Sequence, residues 1–147
     1  MRNAERLLRT LLRLVGSVTM LALVPLLMPT AWLAGIHEWL ALGKFPEGPV
    51  VEYLARSVSA FYAILGGLFW LVSFDVRRYA AVIIYLAVIF VVFGVVILVI
   101  DVWLDLPLWW SLVEGPLSIL LGIVVLALQR HVRQAAAPAR SREEAQQ

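Results

Sequence analysis

The chain has no cysteine, a single lysine and only two histidines in 147 residues. Without cysteine there are no disulfides, thiolate metal sites, iron–sulfur clusters or cysteine nucleophile. With His37 and His131 as the only imidazoles, hydrolytic chemistry has few bases to draw on. The chain also lacks a Walker phosphate loop, a dinucleotide glycine fingerprint, a His-Glu-x-x-His pair and a Gly-x-Ser-x-Gly elbow. These absences weigh against an enzyme and give no reason to expect a cofactor or a resident metal. Charge is scarce too. Asp, Glu, Lys and Arg make up 15% of the residues, against about 25% in an ordinary soluble domain.

What fills the space is apolar: 63% of the residues are hydrophobic and the mean hydropathy is +0.92. A domain of this size buries only about 70% of its unfolded surface, so one small core cannot hide that excess. An ordinary soluble enzyme, a disordered tail and a free nucleic-acid-binding domain are excluded, and the lipid bilayer becomes the expected partner. A membrane helix needs about 20 mostly apolar residues. Four stretches are expected to serve, at about 7–28, 50–73, 80–100 and 107–129. The third carries no charge at all. The fourth contains Glu114-Gly115-Pro116, where a helix starting near Pro107 is expected to bend. The fold class is therefore an all-α membrane protein. Its four spans form one bundle over residues 1–133, and residues 134–147 are expected to be a disordered tail.

The basic residues alternate between connections. Arg2, Arg6, Arg9 and Arg13 precede or open the first span, Arg77 and Arg78 lie between the second and third, and Arg130, Arg133, Arg140 and Arg142 follow the fourth. Ten of the twelve basic residues thus fall on one side, which the positive-inside rule places in the cytoplasm with both termini. The opposite side carries Glu38, Glu47, Glu52, Asp101, Asp105 and Glu114. The first span has the basic start of a secretory signal, but Met28-Pro29-Thr30-Ala31-Trp32 gives no small-x-small cleavage site, so an uncleaved span is expected.

Residues 30–42 form more than a loop. Trp32, Ile36, Trp39 and Leu40 recur at helical spacing behind Thr30, a candidate N-cap, and predict a short helix in the outer interface. Gly43 through Pro49 is rich in turn residues. On the second span, Ser59, Ala63 and Gly67 stand four apart with Gly66 adjacent; Gly94 and Gly122 offer similar gaps on the third and fourth. Small residues let helix backbones approach closely, here more readily within one chain than across a homodimer.

Charges inside a bilayer cost at least a few kcal/mol, and they pair or line a pathway. Arg56 lies about 10 Å into the second span. It is expected to face the interior and pair with Glu114, which sits at a matching depth; Glu52 and Glu38 are rivals, and Asp101 is a further neighbour. Three readings follow. The cluster fixes helix register, or Arg56 anchors an anionic or zwitterionic ligand, or His37, Glu38, Asp101 and Glu114 hold a proton or cation.

Three strings carry a resemblance: Arg56-x-x-Ser59-x-Phe61-Tyr62-Ala63-x-x-Gly66-Gly67, Asp75-x-x-Arg78-Tyr79, and Asp101-x5-Pro107-x-Trp109-Trp110-x3-Glu114-Gly115-Pro116. Over residues 14–128 the chain resembles small bacterial four-helix membrane proteins of the BphX-like type. That resemblance implies a bacterial source and a standalone four-helix fold, and it carries over no catalytic residues. The functional expectation is a non-enzymatic accessory or scaffold protein of the inner membrane, with a membrane-protein partner or a second copy and no nucleic acid. The alternative is a small-solute or ion transporter using the Arg/acid cluster of the outer leaflet.

Overall fold

The computed structural model describes the main chain of residues 2–144 and the side chains of residues 3–134. The elements are α1 (Arg2–Met20), α2 (Leu23–Leu27), α3 (Thr30–Trp39), α4 (Pro49–Ser73), α5 (Ala80–Trp103) and α6 (Leu108–Glu144). No strand occurs among the described residues. Among the described residues, four stretches are long and apolar enough to cross a membrane: Asn3–Leu27, Pro49–Ser73, Ala80–Trp103 and Leu108–Gln134. The all-α, four-span class expected from hydropathy is the one observed.

Prolines set the breaks. The first span is interrupted at Leu21-Ala22, between α1 and α2. Pro25 lies four residues after Leu21; it has no N–H for that carbonyl, and its ring crowds it. Pro29 then ends α2. The residue before a proline is driven out of the helical region, and Met28 is extended at φ −73° and ψ 154°. Helix α3 starts directly after it, with the Pro29 carbonyl accepting from the Trp32 and Leu33 N–H groups. The expected N-cap role of Thr30 is overturned, because Pro29 occupies the cap and the Thr30 hydroxyl is bonded elsewhere.

Helix α3 stops at Trp39 rather than at 42. The Ala41 and Leu42 N–H groups fold back to the Glu38 and His37 carbonyls, and Ala41 takes the left-handed conformation at φ 56°. This is a Schellman closure. The same closure ends α5, where Asp105 (φ 51°) bonds to Val102 and Leu106 to Asp101. Helix α6 runs unbroken through Gly115-Pro116 and continues to Glu144. The tail expected to be disordered is thus helical up to that residue; Ala135-Ala136-Ala137 carries the highest helix propensity available. Residues 145–147 lie outside the described residues.

The chain divides into two compact units, Arg13–Leu71 and Met1–Leu12 with Val72–Gln147. In the first, the end of α1 meets α4 at Gly16 and Gly66. A Cβ on either residue would stand 2.7–2.8 Å from the other's carbonyl oxygen. Trp70 donates its indole N–H to the Ser17 hydroxyl at 3.1 Å, beneath the Arg13 guanidinium. In the second unit, α5 and α6 run antiparallel, touching at Gly94–Gly115 and again where Gly122 meets Ala87 and Val91. Leu8, Leu12, Val72, Val76 and Ile83 are fully buried at one end of that unit. Gln129 donates to the Val76 carbonyl there, and Arg77 closes on Glu5 at 2.8 Å.

Candidate functional site: an arginine on a helix break

Arg56 sits on α4, and four residues before it, one turn away on the same face, is Glu52. The guanidinium holds this carboxylate through Nε (3.0 Å) and Nη2 (2.8 Å), both on Oε1. Its other side reaches the junction of α2 and α3. Nη1 donates to the Leu26 carbonyl at 2.6 Å, and Nη2 donates to the Met28 carbonyl at 3.2 Å, with the Thr30 hydroxyl at 3.5 Å. Thr30 donates its own proton to Glu52 Oε1 at 2.8 Å.

The local chemistry explains the arrangement. An extended Met28 followed by Pro29 takes the end of α2 out of the ordinary helical ladder. In hydrocarbon, an unsatisfied carbonyl costs several kcal/mol. A cation at a helix C-terminus also meets the negative end of the dipole. Arg56 supplies both donor and charge, and Glu52 neutralises it. Of its five N–H groups, Arg56 spends four on these partners, counting Nε, one on Nη1 and two on Nη2.

Of the three carboxylates named as partners for Arg56, Glu52 fills the role. Glu38 is exposed on α3. Glu114 belongs to the other unit; there it interacts with the Trp110 side chain and feels the charge of Asp101. Asp101 is 3% exposed in the last turn of α5, and its Oδ2 has no hydrogen-bond partner. His37 closes the α3–α4 link: its Nδ1 lies 3.0 Å from the Gly43 carbonyl, and its ring meets Phe45 edge to face. Among the described residues no three His, Asp or Glu side chains stand together as metal ligands. The groove along Leu98, Val99, Val102 and Trp103 is apolar and open.

Sequence reasoning missed the carbonyl partners of Arg56, although Pro25 and Pro29, four apart inside one span, were the signal that main-chain groups there lose their helical partners. It also missed Gly16 and the packing role of Gly115. Of the small residues singled out on α4, Gly66 is the buried one; a Cβ on Gly67 would meet nothing within 4 Å. Set against models of protein families, curated proteins and solved structures, the chain matches none.

Proposed function

We propose that this chain is a non-enzymatic accessory or scaffold protein of a bacterial inner membrane, with both termini in the cytoplasm. One observation carries the reading: the Arg56 side chain, set within the second span, is spent on the protein's own frame. Arg56 bonds Glu52 and the carbonyls of Leu26 and Met28, which leaves one N–H for anything else. An anchor for an anionic substrate would keep a planar pair of donors open. Here the pair is closed, so the cluster holds a broken helix in shape. The skew of arginines toward one set of connections supports the orientation. The resemblance to BphX-like proteins has no family match behind it and lends the proposal no weight.

The test is the native mass of the tagged protein drawn from its own membrane in mild detergent, with identification of what accompanies it. A partner in fixed stoichiometry is the expected result, and one whose recovery falls with Arg56→Gln while Arg56→Lys retains part of it. A monodisperse, partner-free protein whose stability is unchanged by Arg56→Gln overturns the proposal.

A further inference from the structure

Asp101 is in an unfavourable place for a bare carboxylate. It is 3% exposed, and its Oδ2 is buried without a hydrogen-bond donor. It lies in the last turn of α5, at the negative end of the helix dipole. Between Arg78 and Arg130 there is no Lys, Arg or His; the charged residues are Asp101, Asp105 and Glu114. On α6, Gly115 packs against Leu98, one turn before Asp101, which brings the neighbouring Glu114 to the same level, and the charge of Asp101 acts on Glu114; Asp105 in the connecting turn is exposed. A buried charge needs a partner or a neutralising ion. The α5–α6 pair offers no such partner among its described residues.

We propose that Asp101, together with Glu114, is a monovalent-cation site, neutralised by a proton or by an alkali-metal ion drawn from the side of the membrane where α5 ends. Two carboxylates with no third acidic or imidazole ligand among the described residues suit a single charge better than a divalent ion. The site is independent of the Arg56 clamp and of the accessory role.

A membrane-permeant carbodiimide is the probe. It reacts with a carboxyl that carries a proton. The acid O–H proton moves to a carbodiimide nitrogen, the oxygen bonds to the central carbon, and rearrangement leaves a stable acylurea with no leaving group. Full-length protein in liposomes is labelled in choline chloride or sodium chloride of equal ionic strength, over a range of pH, and mapped by peptide mass. Asp101 is expected to label about tenfold or more above exposed Glu47. Loss of labelling on adding sodium identifies an alkali ion as occupant. Loss only on raising pH identifies the proton. Failure to label Asp101 in choline at any pH, or labelling no greater than at Glu47, overturns the proposal. A second readout guards against a labelling artefact: the unfolding temperature of the native protein changes with sodium or pH, and Asp101→Asn abolishes that change while folding at least as well. An Asp101→Asn protein that keeps the full dependence also overturns it.

Discussion

Replacing Gly94 by alanine tests whether α5 and α6 are held by backbone contact. A Cβ on Gly94 would lie 2.6 Å from the Gly115 carbonyl oxygen, 2.8 Å from Ile119 Cγ1 and 2.9 Å from the Ile119 nitrogen. Two of the three obstacles are main chain, so no rotamer change relieves them and the helices must separate. Overpacking of this kind costs about 1–3 kcal/mol. The gain in helix propensity from Gly to Ala is about 1 kcal/mol, which leaves a net loss of up to about 2 kcal/mol. Gly67 supplies the matched control. It lies in a helix of the same kind, but an added Cβ meets nothing within 4 Å. The same substitution there should bring only the propensity gain, up to about 1 kcal/mol. The two variants should therefore move in opposite directions in a denaturing-detergent titration followed by circular dichroism. The double change Gly94→Ala with Gly115→Ala should cost less than the sum, because the first alanine has already parted the helices. Gly94→Ala at least as stable as Gly67→Ala would refute the close-packing argument.

Other substitutions read the remaining joints. Ala41→Gly should stabilise the chain by about 1 kcal/mol in the same titration, because Ala41 holds a left-handed φ of 56° that glycine adopts without strain. Arg56→Gln should destabilise by about 1–3 kcal/mol for each carbonyl left without a donor, Leu26 and Met28, with Arg56→Lys in between because it lacks the planar fork. Glu5→Gln, which frees the half-exposed Arg77, should cost under about 1 kcal/mol and less in high salt; a loss unaffected by salt would contradict the ion-pair reading. Since the native chain has no cysteine, single cysteines at positions 47 and 133 report orientation directly. An impermeant maleimide added to whole cells should label Glu47→Cys and spare Arg133→Cys, and the reverse pattern would invert the proposed topology.

How much of this was legible in the sequence depends on the length scale of each signal. The four spans were, because a hydrocarbon slab imposes a run of about 20 residues, longer than any local irregularity. The break at Leu21-Ala22 was hidden by that same averaging, although Pro25 marks it to the residue. The helix ends at Trp39 and Trp103 were harder, because the left-handed residue closing each is Ala41 or Asp105 and not the glycine that would announce it. Glycine contacts were half legible. A spacing of four picked out Ser59, Ala63 and Gly67, but the contact with α1 is a local crossing that uses Gly66, one residue and about 100° around the helix.

Arg56 shows why the partner of a charge is the least legible feature. A search for opposite charges at equal depth favoured Glu114, because carboxylates are the acceptors a sequence displays. Main-chain carbonyls are acceptors too, present at every position, and normally consumed by the helix itself. They become available only where the helix fails, and in this chain proline decides where that is. Pro29 forces Met28 out of the helix, so the ladder that would bring the Thr30 and Trp32 N–H groups to the Leu26 and Met28 carbonyls is broken; those acceptors then claim the guanidinium, with Glu52 supplying the counter-charge from one turn away. The span holds a cation at this depth because its backbone needs a donor there. The order of cause is itself testable. If Pro29→Ala lets α2 and α3 join into one helix, those two carbonyls regain helical donors, and Arg56→Gln in that background should cost much less than it does in the native chain. An undiminished cost would mean that Arg56 is held by Glu52 and Thr30 alone, and that the proline break is incidental to it.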